Sequence, residues 1–129
     1  MIILTVEDDA AIREAITEVL TYSGHKVMGA RNGLEGLNFL QAGLRPQIIL
    51  LDLMMPVMDG WTFLEEILKT QDLIKIPVII VSAVVTDGTM NTYPNVKAII
   101  KKPVMIENLL KVIKEIHAND FTISPSASP

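Results

Sequence analysis

The chain has 129 residues, half of them hydrophobic, and carries a net charge of −4 from 15 acidic and 11 basic residues. That length suits one domain around one core, and the acidic balance argues against a nucleic-acid surface as its main business. The chain has no cysteine, which excludes disulfides and thiol chemistry. The first predicted element is a short apolar strand, Ile2 to Val6, ended by Glu7, Asp8 and Asp9. From Ala10 apolar residues recur at helical spacing (Ile12, Ala15 or Ile16, Val19, Leu20) until Gly24 stops the helix. "HKVMGA" is a short second strand. Asn32 and Gly33 introduce a helix with Leu34, Leu37 and Leu40 on one face. "RPQIILLDL" is a third strand, and its nearly unbroken apolar run suits a strand covered on both sides.

A helix follows in "WTFLEEILKT", carrying Trp61, Leu64 and Leu68. "IPVIIVSA" and "VKAIIKKP" hold the fourth and fifth strands. "MIENLLKVIKEIHA" closes the fold as a helix with Ile106, Leu109, Leu110, Ile113 and Ile116 apolar. Its Lys111, Lys114 and His117 lie beside Glu107 and Glu115, an ordinary solvated face that encodes no nucleic-acid binding. Strand and helix alternate, which predicts a parallel sheet with helices on both faces. One stretch is awkward: "VVTDGTMNTYPNV" sits where a fourth helix belongs, but its Gly88, Thr, Asn and Pro94 predict a short or irregular one. The division expected is a domain over 1–120 and a disordered polar tail over 121–129. No run reaches the length of a membrane span or a signal peptide, so the expectation is a soluble, cytoplasmic protein without membrane insertion.

In an open parallel sheet, ligands gather outside the C-terminal strand ends. Glu7, Asp8 and Asp9 follow the first strand and Asp52 ends the third. Each has a plain structural reading: Asp9 as a helix cap, Glu7 and Asp8 as acids at a helix's positive end. Together they are harder to dismiss. Adjacent central strands would bring Asp8 beside Asp52, where like charges repel. A divalent cation relieves this, and an all-oxygen ligand set favours Mg²⁺. Ser82 ends the fourth strand and Lys102 follows the fifth. Acids, a hydroxyl and an ammonium suit a phosphoryl group. Asp52 is then the nucleophile, giving an aspartyl phosphate. The chain has no glycine-rich loop with Lys and Ser or Thr after a strand, so the phosphoryl donor is another molecule.

The ordered set "VEDDAAIRE", "LLDLMMPVMDGWTFL", "VSA" and "KKP" resembles the receiver domain of two-component response regulators, over about residues 2–118. The resemblance implies a flavodoxin-like, doubly wound sheet of five parallel strands in the order 2-1-3-4-5. It implies that Asp52 accepts a phosphoryl group from a histidine kinase or histidine phosphotransfer protein. It places Glu7, Asp8, Asp52 and the backbone carbonyl of Met54 around Mg²⁺, with Glu7 acting through water, and assigns roles to Ser82 and Lys102 beside the phosphoryl group. The Lys102–Pro103 bond is often cis in this family. Such a domain assists its own phosphorylation and dephosphorylation, turns over no separate metabolite, and acts on a downstream protein as a monomer or weak dimer.

Two departures stand out. The family carries an aromatic residue three positions before the lysine; here that position is Ile99. Met54 and Val84, at positions that in this family influence attacking water, offer no polar group, so a slow reset is the expectation; Met54 reads equally as a surface-packing residue. The alternative reading is a receiver-like interaction module that signals without phosphorylation. A phosphatase of the haloacid dehalogenase type is a poor fit, because neither "DDA" nor "DLM" supplies its D-x-D pattern. Within the loop "DLMMPVMDG", Pro56 restricts the backbone, Asp59-Gly60 reads as a turn into a helix, and Gly60 is expected to need a backbone conformation costly for other residues.

Overall fold

The computed structural model describes residues 1–84, Gly88 and 92–123, with the side chains of 119–123 outside the description. Five parallel strands, β1 (Ile2–Val6), β2 (Lys26–Ala30), β3 (Ile48–Leu51), β4 (Val78–Ser82) and β5 (Val96–Lys101), form one sheet in the order β2-β1-β3-β4-β5. Four helices are described: α1 (Ala10–Tyr22), α2 (Gly33–Gln41), α3 (Gly60–Ile67) and α4 (Ile106–Ile123). The expected short helix between β4 and β5 falls mostly on residues outside the description. So does the tail from 124 onward; α4 itself continues to Ile123.

Strand side chains alternate between faces, and both faces are covered. In β3, Ile49 and Leu51 join one core with Leu37 and Leu40 of α2 and Phe63, Leu64 and Ile67 of α3. Ile48 and Leu50 join the other, with Ile16 and Leu20 of α1 and Leu109 and Ile113 of α4. This two-sided burial is why β3 reads as an unbroken apolar run. Local chemistry starts the helices. Asp9, Asn32 and Asp59 are N-caps whose side chains accept from the N–H groups of Ile12, Glu35 and Thr62. Glu35 reaches back to the N–H of Arg31 at 2.6 Å, so α2 opens on paired side-chain caps.

The turn after β3 differs from expectation in its physical cause. Gly60 is needed because of close approach, not because of a special backbone angle. A Cβ there would lie 2.6 Å from the Asp52 carbonyl oxygen and 2.7 Å from Leu53 Cα, and its own N–H bonds the Leu53 carbonyl at 2.9 Å. The start of α3 therefore rests directly on the backbone at the end of β3. Gly60→Ala is expected to cost about 2 kcal/mol by overpacking against a rigid backbone. Denaturant unfolding would measure it, and an unchanged midpoint would contradict the contact. The residue with the unfavourable angle is Val57, at φ 72°. It centres a three-residue turn closed by the Met58 N–H on the Pro56 carbonyl at 2.8 Å, a strained geometry for a β-branched side chain. Val57 is exposed, so no packing repays the strain. Val57→Gly, which has no Cβ to strain at positive φ, is expected to raise stability by about 1 kcal/mol, seen as a higher unfolding midpoint.

Candidate functional site

The strand order puts β1 beside β3, so the chain leaving each strand brings its acids to one end of the sheet. The Asp52 N–H still bonds the Val6 carbonyl at 3.0 Å, extending the ladder by one step. Glu7, Asp8 and Asp52 each present a carboxylate oxygen, and these atoms lie within 4.8 Å of one another. Glu7 and Asp52 are buried, while Asp8 is exposed. Lys102, delivered by β5, sits between the two buried acids. Its Nζ lies 2.8 Å from Glu7 Oε1 and 3.1 Å from Asp52 Oδ2. One N–H···O bond from Met54 to Asp52 Oδ1 (3.2 Å) and another from Asp9 to Glu7 Oε2 (3.2 Å) occupy the remaining carboxylate oxygens of that pair.

Burial is the first cause acting on Glu7. It pushes the carboxyl up to about 7, against the lowering influence of the Lys102 bond and the Asp9 N–H, with Asp52 adding to the rise. Burial alone would lower the Lys102 ammonium, but its bonds to Glu7 and Asp52 outweigh that and hold it above the ordinary lysine range. Both groups are raised, with opposite effects on charge: burial favours the neutral acid at Glu7, while two carboxylate bonds favour the charged ammonium at Lys102. A third acid, Asp8, adds to the negative charge that a single lysine balances.

Ser82 ends β4 fully buried, its Oγ accepting from the Val84 N–H at 3.3 Å, and its carbonyl accepts from the Lys102 N–H at 3.0 Å. The serine and the lysine are thus tied by backbone, while among the described residues the serine hydroxyl makes no direct bond to Glu7, Asp8 or Asp52. The Lys102–Pro103 bond is cis. Met54 contributes its N–H to Asp52 and leaves its side chain exposed. Ile99 is partly buried against the core on the α2–α3 side. The nearest aromatic in sequence, Tyr93, is buried on that same side, and its hydroxyl donates to Glu65 Oε2 of α3 at 2.8 Å.

An acidic trio at the C-terminal end of a 2-1-3-4-5 parallel sheet, with a lysine bridging two of its members, has a clear counterpart. The family model described as the response regulator receiver domain matches residues 3–114. The chain belongs to the response regulator receiver domain family. The receiver domain is 36% identical over 116 residues to a sensor histidine kinase CheAY of Helicobacter pylori, covering 88% of this chain and 14% of that protein. It superposes on the chemotaxis protein CheY4 of Vibrio cholerae with a TM-score of 0.81 at 25% identity, covering 89% of this chain and 97% of the other. It superposes on the Mn²⁺-bound form of response regulator Rcp1 with a TM-score of 0.72 at 31% identity, covering 99% and 98%. The chain spans less than half the length of the curated relatives it matches. Among the described residues no helix is long and apolar enough to cross a membrane.

Of the residues singled out from sequence, the receiver domain brings Glu7, Asp8, Asp52 and Lys102 into one cluster, with Ser82 and Met54 at its edge. Sequence reasoning missed Arg13, whose Nη1 donates to the Glu7 carbonyl at 2.8 Å. It also missed the anchoring of Tyr93 to α3. No local pattern announces either contact, because each depends on the tertiary approach of two elements.

Proposed function

We propose that this receiver domain accepts a phosphoryl group on Asp52 from a phosphohistidine of a histidine kinase or phosphotransfer protein, and that the modified state alters contacts with a downstream protein. The observation that carries the reading is the pair of buried carboxylates held on one lysine, with a third carboxylate beside them. A buried Asp and Glu in a merely structural role would be matched in charge; here three acids share one ammonium. That excess suits a divalent cation, and an all-oxygen donor set suits Mg²⁺. Glu7, Asp8 and Asp52 would hold it, with the Met54 backbone carbonyl as a further ligand. When bound, the ion supplies positive charge that neutralises phosphoryl oxygens and screens the acids from one another.

The residues divide the remaining work. An oxygen of Asp52 attacks phosphorus, a P–O bond forms, and the P–N bond to the donor imidazole breaks. The donor histidine keeps the electron pair and takes its proton from solvent. The Met54 N–H on Asp52 Oδ1 orients the nucleophile before the reaction begins. Lys102 exchanges its bond to Asp52 Oδ2 for one to a phosphoryl oxygen, as charge passes from the carboxylate to the new group. Ser82 donates a hydrogen bond from its hydroxyl to the same group. Attack by water later restores the carboxylate. The domain thus assists its own modification and turns over no separate metabolite, acting in the cytoplasm as a monomer or weak dimer without contacting nucleic acid.

Ile99 and Tyr93 favour an output route that differs from rotation of an aromatic in β5. Ile99 has no ring to turn, and Tyr93 is fastened to α3. A slow reset is the matching expectation, since Met54 and Val84 offer attacking water no polar partner. Intact mass after incubation with acetyl phosphate or phosphoramidate, with and without Mg²⁺, tests the central claim. A Mg²⁺-dependent gain of one phosphoryl group supports it. Folded protein that gains nothing from either donor or from a cognate kinase would favour a phosphorylation-independent interaction module.

A further inference from the structure

Glu7 is held at four points. Its N–H donates to the Ala30 carbonyl of β2 at 3.0 Å, Oε2 accepts from the Asp9 N–H, and Oε1 accepts from Lys102. The fourth point is its carbonyl oxygen. In a parallel ladder that oxygen would accept from an N–H two residues beyond Ala30, which is Asn32. Asn32 has left the sheet to cap α2. The Glu7 carbonyl is therefore stranded at the end of the ladder, in a part-buried place where an unpaired acceptor is costly. Arg13, in the first turns of α1, supplies the missing donor through Nη1 at 2.8 Å. Its stem crosses β2 at Gly29: a Cβ on that glycine would meet Arg13 Cδ at 3.3 Å and Cγ at 3.5 Å. A residue without a side chain on β2 thus opens the path by which a residue of α1 reaches the end of β1.

We infer that Arg13 is a positioning residue, which fixes the Glu7 peptide so that the buried Glu7 carboxylate faces the divalent-cation site. The inference rests on the Mg²⁺ reading above. Its physical content lies in a sign. By charge alone, removing a guanidinium near a cluster of carboxylates tightens cation binding, because one repulsion disappears. By positioning, removing it weakens binding, because Glu7 loses a constraint on its plane and carboxylate direction. The two effects oppose each other, so the direction of change separates them.

The experiment is a Mn²⁺ titration followed by electron paramagnetic resonance, on the full chain and on Arg13→Met, Arg13→Lys and Asp8→Asn variants. Met keeps the apolar stem over Gly29 but has no donor. Arg13→Met is expected to bind Mn²⁺ about tenfold more weakly than the wild type, with Arg13→Lys intermediate through its single donor group. Thermal unfolding without metal accompanies the titration, so that lost affinity is read only from variants folded at the working temperature. Unchanged or tighter binding by Arg13→Met, with Asp8→Asn weakened, would falsify the positioning role and leave the metal site standing. Wild-type protein that binds no Mn²⁺ removes the metal reading and this inference with it.

Discussion

Asp52→Asn protein is expected to stay folded and to gain no phosphoryl group from acetyl phosphate, phosphoramidate or a cognate kinase, under conditions where the wild type becomes modified. The substitution keeps the volume and one carbonyl oxygen, so the Met54 N–H retains an acceptor. It removes the anionic nucleophile and one of three carboxylates in the cluster. Other acids lie within 4.8 Å, but geometry does not make them equivalent. Glu7 is engaged at every acceptor and buried beneath Lys102, while Asp8 is exposed and has no equivalent N–H bond orienting it among those described. Mass spectrometry of the intact chain, with peptide mapping of any residual label, checks the result. Label still carried at position 52 would sink the assignment. Label relocated to Asp8 would show that the cluster, rather than one residue's position, defines the acceptor.

The second large effect concerns stability. Lys102→Met is expected to unfold about 3 kcal/mol more easily than the wild type in Mg²⁺-free buffer at neutral pH, because removing one member of a buried ion pair leaves the others uncompensated. The side chains of Glu7 and Asp52 are only 3% and 5% exposed, so water does little to screen them once the ammonium is gone. Methionine preserves most of the stem, which separates charge loss from packing loss. Protonation of Glu7 offers partial escape. Its carboxyl is already raised by burial, and losing Lys102 raises it further. A group raised above its unfolded value contributes fully at low pH and loses that contribution as pH climbs through its folded value. The deficit should therefore widen from mildly acidic to alkaline buffer. Mg²⁺ should narrow it, by replacing the missing positive charge. Denaturant unfolding across pH, with and without Mg²⁺, reads all three effects. A deficit that ignores both pH and Mg²⁺ would mean that Lys102 acts through packing alone.

Much of the fold was legible because two-sided burial leaves long apolar runs. β3 and β4 could hardly be anything else once turn residues bounded them. The acids were legible for a related reason: a carboxylate closing an apolar strand has no role in a core and must answer to something at the strand end. The amphipathic helices were less clear. In α3, "GWTFLEEIL" offers two helical stripes, one through Trp61, Leu64 and Leu68 and one through Gly60, Phe63, Leu64 and Ile67. The second is the fully buried one, while Trp61 and Leu68 are partly buried at its border. In α2, Leu34 is 45% exposed although Leu37 and Leu40 are buried, since a strict spacing of three drifts around the helix. Gly33 and Gly36 take the buried places that pattern reading gives to larger residues. The demand on Gly60 was visible as a glycine but not as a contact, since close backbone approach leaves no trace in local spacing. Arg13 and Tyr93 were invisible for the same reason.

The strand order carries a consequence for how the protein is made. Glu7 and Asp52 directly follow strands separated in the chain by a helix, a strand and a second helix, and Lys102 arrives only after the last strand. Non-local parallel pairings of this kind form late in folding, after the entropy of closing long loops has been met. Until the carboxyl-terminal third of the chain has docked, the acids are present but their counter-charge is not. A chain in which β5 has not yet docked thus offers an incomplete centre, its acids gathered without the lysine that holds them.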